Sequence, residues 1–262
     1  MNISLRNRNA LVGGSTQGLG KAIAVQLAEC GANVTLMAKN EEKLKNILQE
    51  LNSDLGQEHG YVVVDFSDLV HFKEKIKNFL STHPIHILVN NTQGPEAGNV
   101  LEKGPADYQA AFDLLFQTVC YTTLEVLPSM QKNNYGRIIN VSSLSVREPM
   151  PNLVLSNTIR IAVVNWAKSL ATEVAKNNIT VNTILTGNFD TERMKSLINL
   201  QANAKNVGTE EIRASRIAAI PMNRFGRPEE YAYLVAFLAS DYASYITGTN
   251  IPIDGGLLKS VL

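Results

Sequence analysis

The chain has 262 residues, a formal net charge of +0 and 45% hydrophobic residues. The balanced charge gives no reason to expect nucleic acid or an anionic membrane as a partner. The N-terminus lacks the apolar run of a signal peptide, and no segment approaches the roughly 20 apolar residues of a membrane span. Cys30 and Cys120 fit buried free thiols, and the four histidines have no metal-ligand spacing. We therefore expect a cytoplasmic protein without a metal site, acting on a small molecule.

Predicted strands and helices alternate along the chain. Short apolar runs predict strands at residues 9–14, 32–38, 61–66, 85–91, 136–143, 179–185 and 249–254. Apolar residues at helical spacing predict helices through 18–30, 44–51, 69–79, 106–132, 152–177 and 229–239. Gly31 is placed to end the first helix, and Ser67 is placed as an N-cap of the third.

This alternation, with strands that are apolar almost throughout, predicts a parallel sheet covered by helices on both faces. The fold class is therefore α/β, a doubly wound Rossmann-type sheet in a single domain over residues 1–262. Its ligand crevice is expected at the carboxyl ends of the strands.

A glycine-rich stretch, GGSTQGLG at residues 13–20, follows the first strand and opens the first helix. Gly14 permits a tight turn, Gly18 permits close approach of a pyrophosphate, and Gly20 permits close packing of the helix on the sheet. The N–H groups at the helix N-terminus favour phosphate. Glycines also serve ordinary turns, but the strand–loop–helix context favours a dinucleotide site.

The glycine spacing and several later motifs resemble those of the short-chain dehydrogenase/reductase family. The similarity extends through the chain in the motifs GGSTQGLG (13–20), NNTQG (90–94), IINVSS (138–143), ITVNTILTGNFDTERM (179–194), IPMNRFGRPEEYAYLVAFLAS (220–240) and YITGTNIPIDGG (245–256). Thr186 stands where the family usually has a proline before Gly187. The similarity is greatest to the branch that holds 3-oxoacyl-carrier-protein reductases.

The end of the second strand predicts which nicotinamide cofactor binds. A carboxylate there would repel a 2′-phosphate, but the chain has Ala38, Lys39 and Asn40. Lys39 can pair with the phosphate, and Ser15 and Thr16 can add hydroxyl donors. NADP(H) is therefore favoured over NAD(H), unless Lys39 is an ordinary solvated lysine.

The resemblance also implies which residues line the cofactor. Asp65 would contact the adenine end, Asn91 and Gly94 the adenosine ribose, and Phe189 and Thr191 the nicotinamide carboxamide. Asn90 fits a contact or a structural clamp equally well. The full expected cofactor set is Gly14, Ser15, Thr16, Gln17, Gly18, Leu19, Gly20, Lys39, Asp65, Phe66, Asn91, Gly94, Arg160, Gly187, Phe189 and Thr191.

The catalytic positions depart from the family pattern. The resemblance implies a relay of serine, tyrosine, lysine and asparagine. Ser143 fits the serine, but Ser156 stands in place of the tyrosine, Arg160 in place of the lysine, and Leu115 in place of the asparagine. We take Ser143, Ser156 and Arg160 as catalytic candidates. The alternatives are a turn serine, a helix-packing serine and a surface salt-bridge arginine.

The substitutions leave two main hypotheses open. An aliphatic hydroxyl is a far weaker acid than a phenol, whereas arginine stays protonated and can hold ribose hydroxyls. The chain is then an NADP(H)-dependent oxidoreductase with altered proton delivery, or a cofactor-binding homologue that acts as a sensor or oligomer partner. Hydrolysis by a serine nucleophile is disfavoured, because no histidine has a triad context.

The segment at about 188–227 is longer than in the family's shorter members and predicts a helical lid. Its apolar residues, among them Met194 and Leu197, would face a sizeable apolar substrate or pack onto the domain. By resemblance the long helices and the C-terminal strand form association surfaces, so a homotetramer or homodimer is expected.

Overall fold

The structure is a computed structural model that describes residues 2–260. Within that range seven strands form one parallel sheet in the order β3-β2-β1-β4-β5-β6-β7. The strands are β1 (Asn9–Gly13), β2 (Asn33–Ala38), β3 (Gly60–Val63), β4 (Ile87–Asn90), β5 (Gly136–Ser143), β6 (Ile179–Thr186) and β7 (Asn250–Ile253). The order reverses direction between β1 and β4, which is where a doubly wound sheet opens its crevice.

Helices cover both faces of this sheet. They are α1 (Gly18–Glu29), α2 (Glu41–Glu50), α3 (Leu69–Leu80), α4 (Pro105–Phe112), α5 (Thr118–Lys132), α6 (Val154–Val174), α7 (Glu192–Lys205), α8 (Thr209–Ala218) and α9 (Pro228–Ala239). Ile23 of α1 and Tyr231 of α9 are buried on one face, and Phe72 of α3 and Met130 of α5 on the other. The predicted α/β, doubly wound, single-domain fold is confirmed.

The third strand is shorter than its predicted 61–66, because β3 ends at Val63. The neighbouring strand β2 stops at Ala38, whose carbonyl accepts the N–H of Val64. Past this point the chain has no strand to pair with. The predicted cap Ser67 is also wrong, because Asp68 caps α3 by accepting the N–H of His71 at 3.2 Å.

The predicted helix over 106–132 contains an irregularity. Residues Asp113–Gln117 form a π-helical turn that joins α4 to α5 without a break in the chain direction. Such a wide turn inside an α-helix is often found next to a functional site. Here it sets the position of Leu115, which is buried.

The predicted helical lid consists of α7 and α8. Thr191 caps α7 by accepting the N–H of Met194 at 3.3 Å. Met194, Ile198, Ile212 and Phe225 are buried in a small apolar cluster of their own. These four apolar side chains of the predicted lid therefore pack within the protein, whereas Leu200 is exposed. Within the described range, no helix is long and apolar enough to span a bilayer.

Candidate active site

A cavity of about 640 Å³ opens at the carboxyl ends of the central strands. Most of the residues expected from the sequence line it. These are Gly14, Thr16, Gln17, Gly18, Leu19, Lys39, Phe66, Asn91, Gly94, Ser143, Ser156, Arg160, Gly187, Phe189 and Thr191. Ser15, Gly20 and Asp65 do not belong to its wall.

The glycine loop is shaped by backbone that other residues adopt with strain. Gly14 and Gly18 have φ values of 57° and 55°, in the left-handed region. A Cβ on Gly20 would overlap the carbonyl oxygen of Gly14, so this glycine lets α1 approach the turn closely. The Asn91 amide fixes the turn from β4 by donating to the carbonyl of Gly13 at 2.9 Å. The loop thus presents backbone and the α1 N-terminus to the cavity.

Ser15 has a structural contact instead of the expected one. It is fully buried, and its hydroxyl oxygen accepts the N–H of Met37 at 3.0 Å. The bond ties the glycine loop to β2. A hydroxyl in this position does not face a ligand in the cavity.

The part of the cavity where the family resemblance places the adenosine, which we call the adenosine end, is lined by Ala38, Lys39, Asn40, Lys43 and Phe66. Lys39, with 74% of its side chain exposed, forms an ion pair with Asp65. Hydrogen bonds from Lys39 and Ser67 lower the pKa of Asp65 to about 2. Asp65 therefore stays charged and pairs with Lys39 at neutral pH.

Asn90 and Gln117, the latter a polar residue two positions after Leu115, both have structural contacts. Asn90 is buried, and its amide donates to Thr123 Oγ1 at 3.0 Å and to Asn140 Oδ1 at 2.9 Å. Of the two roles considered for Asn90, these contacts are those of a clamp between β4, β5 and α5. Gln117 does not stand in for the missing asparagine, since its side-chain oxygen accepts from Lys73 on α3.

The three catalytic candidates all line the cavity, in a part that we call the catalytic end. Ser143 ends β5, and its hydroxyl oxygen accepts the N–H of Ser145 at 3.1 Å. Ser156 lies in the first turn of α6, and its hydroxyl oxygen accepts Arg160 Nε–H at 3.2 Å. Each serine oxygen thus already accepts a hydrogen bond from the protein. Each hydroxyl hydrogen remains available for donation to another acceptor.

Arg160 is held in the cavity wall. Its Nη1 donates to the carbonyl of Val141 on β5 at 2.9 Å, in addition to the bond to Ser156. Removal from water lowers the pKa of Arg160 to about 10. The guanidinium therefore remains a cation at neutral pH, and the two hydrogen bonds fix its plane between β5 and α6.

One buried phenol lies behind the site. Tyr231 on α9 shares a hydrogen bond of 3.1 Å with the hydroxyl of Thr186, which lines the cavity. Burial raises the pKa of Tyr231 well above its ordinary value. It is a poorer acid than a free tyrosine, so it does not replace the lost catalytic phenol.

Several lining residues are missed by sequence reasoning. Lys43 lies in the first turn of α2, which begins just after Lys39 and Asn40 at the cavity. Arg193 and Leu153 reach the cavity only because α7 and the segment before α6 fold over it. The helix and strand periodicities of the sequence do not predict that these two residues line the cavity.

A Rossmann-type sheet with a glycine-lined crevice at its switch point places the chain in the dinucleotide-binding class. A family model described as enoyl-(acyl carrier protein) reductase matches residues 14–258. The chain is 33% identical over 260 residues to the 3-oxoacyl-(acyl-carrier-protein) reductase FabG of Aquifex aeolicus, covering 98% of this chain and 100% of the relative. It is 30% identical over 262 residues to the NADPH-dependent reductase BacG of Bacillus subtilis, again over 98% and 100%.

The fold is likewise similar to the crystal structure of L-sorbose reductase from Gluconobacter frateurii complexed with NADPH and L-sorbose. The TM-score is 0.92 at 27% identity, over the whole of both chains. The protein therefore belongs to the short-chain dehydrogenase/reductase family.

Proposed function

We propose that this protein is an NADP(H)-dependent oxidoreductase of the 3-oxoacyl-reductase type, acting on a carbonyl or hydroxyl group with Ser156 and Arg160 in place of tyrosine and lysine. The supporting observation is the hydrogen bond between these two side chains, 3.2 Å from Arg160 Nε to Ser156 Oγ, in the wall of the cavity. Two unrelated replacements that contact each other in the crevice are better explained as one adapted site than as independent losses.

The residues of the crevice fit NADP(H). Gly14 and Gly18 leave the turn open to a pyrophosphate, and the N-terminus of α1 faces it. Lys39 and Lys43 supply cations for a 2′-phosphate at the adenosine end. The named relatives that use or hold NADPH support this choice. When bound, the reduced nicotinamide supplies the hydride for a carbonyl carbon.

The chain's own groups stabilise the oxygen of the substrate. Ser143 and Ser156 donate their hydroxyl hydrogens to the carbonyl oxygen, since both serine oxygens already accept from the protein. The cationic Arg160 stabilises the negative charge that develops on this oxygen. None of these groups is acidic enough to lose its proton permanently, so the proton comes from bulk solvent through a water held by these three groups, and the solvent reprotonates that water as it donates.

Turnover and binding, measured together, test the proposal. We expect NADPH oxidation with at least one member of a panel of ketones, oxo acids and 3-oxoacyl thioesters, and NADPH binding in a fluorescence titration. The same preparation of Arg160→Met should lose turnover, which excludes a contaminating reductase. Tight binding with no turnover on any compound would instead support the second function, a cofactor-binding homologue acting as a sensor or oligomer partner. The buried Leu115 in place of a relay asparagine favours that function.

We further propose that the protein assembles as a homodimer or homotetramer in the cytoplasm. Leu124 on α5 and Ile161 on α6 are exposed apolar side chains on the two long helices, at 51% and 37%. Cys30 and Cys120 are free thiols, as a reducing compartment requires. Light scattering that gives the mass of a monomer would contradict the assembly.

A further inference from the structure

The lid places a second arginine on the cavity, apart from Arg160. Arg193 lies in the first turn of α7 and lines the cavity at its mouth. Its guanidinium lies against the loop after β4: a Cβ on Gly94 would come within 3.0 Å of Nη2, and Nη2 donates to the carbonyl of Pro95 at 3.3 Å. The side chain thus spans from the lid to the opposite wall.

The position of Arg193 is electrostatically unfavourable in the absence of an anion. The N-terminus of a helix carries partial positive charge, which favours carboxylates and disfavours cations. Glu192, which precedes it, is already paired with Lys195 at 2.6 Å. Among residues 2–260, no carboxylate lies within 4.0 Å of the guanidinium of Arg193 or of Arg160.

The whole cavity shares this imbalance of charge. Among the described residues, its wall contains the cations Lys39, Lys43, Arg160 and Arg193 but only one carboxylate, Glu192, and of these four cations only Lys39 has a carboxylate partner, Asp65 outside the wall. The cations lie in two groups. The lysines flank the adenosine end beside Phe66, whereas the arginines lie near enough to each other for Arg193 to lower the pKa of Arg160 further.

The phosphates of NADP(H) are expected to bind elsewhere in the cavity, so they leave Arg160 and Arg193 without an anionic partner. The two lysines suffice for the 2′-phosphate, and the glycine loop with the N-terminus of α1 suffices for the pyrophosphate. Arg193 is then free for a ligand in the cavity that Ser143 and Ser156 also line. Leu153, Met194 and Leu197 give that space an apolar wall.

We propose that Arg193 binds an anionic group on the substrate, so that the natural substrate is a carboxylate-bearing carbonyl compound, an oxo acid with an apolar body. This inference rests on the proposed function, because it places the substrate carbonyl at Ser143 and Ser156. A planar guanidinium and a carboxylate form two parallel hydrogen bonds, which fixes the orientation of the acid as well as adding affinity.

The test compares an oxo acid with its neutral methyl ester, using wild type and Arg193→Gln. We expect the ratio of kcat/KM for the acid to that for the ester to fall about 10- to 100-fold in the variant, as for the loss of a charged hydrogen bond. Arg193→Lys should restore part of the ratio. Lys205→Gln is the matched control, because it removes one cation from the exposed end of the same helix, outside the cavity.

Two further measurements separate the possible failures. A titration of NADPH into Arg193→Gln decides between substrate and cofactor: a tenfold weaker NADPH affinity with an unchanged acid-to-ester ratio would assign Arg193 to the cofactor and overturn the proposal. Calorimetric titration of the oxo acid into the protein saturated with the oxidised cofactor, NADP⁺, measures binding alone, because this form has no hydride to transfer. Acid binding that Arg193→Gln weakens supports the anion site even if no reduction occurs, whereas equal binding of acid and ester by the wild type overturns it.

Discussion

The adenosine end and the catalytic end of the crevice hold their cations in different ways. At the adenosine end, Lys39 is 74% exposed and paired with Asp65. At the catalytic end, Arg160 is held by two uncharged acceptors, Ser156 Oγ and the carbonyl of Val141. An exposed ion pair is screened by water and contributes little, whereas a desolvated cation with neutral partners keeps its charge for a ligand. The catalytic end should therefore respond more strongly to substitution.

The largest effect is expected for Arg160→Met, which keeps the bulk of the side chain but removes its charge and both hydrogen bonds. We expect kcat/KM to fall about 100- to 1,000-fold, the cost of removing a preorganised group that stabilises an oxyanion. Steady-state kinetics with Lys176→Met, an exposed charge outside the cavity, provide the comparison. A variant with full activity would show that the guanidinium is only a structural link.

Ser156→Ala removes one donor and leaves the cation in place. We expect a fall in kcat/KM of about 10- to 100-fold, with most of the loss in kcat, because the hydroxyl acts on charge that develops in the transition state. Ser169→Ala on the same helix is the control, since its exposed hydroxyl bonds only to the carbonyl of Asn165. Loss confined to KM would assign Ser156 to ground-state binding.

The desolvation of Arg160 also sets an upper pH limit for activity. Burial lowers its pKa to about 10, so the cation is fully present at neutral pH and is lost as the pH rises through that value. We expect kcat/KM to be insensitive to this group below pH 9 and to fall about tenfold per unit above pH 10. The pH profile of Arg160→Met should lack this alkaline limb, and a limb that persists there would belong to another group.

The smallest effect is expected at the adenosine end. Lys39→Gln should weaken NADPH binding about 5- to 10-fold and leave NADH binding unaltered, because only NADPH carries the 2′-phosphate. Fluorescence titrations with both cofactors measure this, and Lys45→Gln on α2 is the matched control outside the cavity.

Asp65→Asn should change NADPH affinity in the opposite direction. It removes the carboxylate that competes for Lys39, so NADPH affinity should rise about two- to threefold, the scale of one exposed ion pair. Because the pKa of Asp65 is about 2, this competition is constant over the pH range of the assays. Equal loss of NADPH and NADH affinity in both variants would mean that this end does not select between the cofactors.

The fold follows from the sequence because its two periodicities are strong. Apolar strands such as Ile87–Asn90 and helices with one buried face leave little freedom in the order of the layers. The predictions are wrong where the bounds of an element depend on a neighbouring part of the fold. β3 stops at Val63 because β2 ends opposite it, and Asp68 rather than Ser67 caps α3 because the chain leaves the sheet early.

The site is predicted less evenly than the fold. Residues directly after strands, such as Asn91 and Ser143, reach the cavity because the ends of parallel strands meet at one edge. Ser15 is adjacent in sequence to two lining residues but turns inward to Met37. Arg193 is more than 30 residues from Arg160 in sequence, and only the folding of the lid brings the two together.

The hydrogen bond from Arg193 to the Pro95 carbonyl also has a kinetic consequence. It joins α7 to the loop after β4. For a molecule to leave the cavity between these two segments, this hydrogen bond must first break. We expect the rate at which this contact opens to limit the rate of product release. A bound acid would compete with the Pro95 carbonyl for the guanidinium of Arg193. Binding of the substrate would therefore weaken the contact between α7 and the loop after β4.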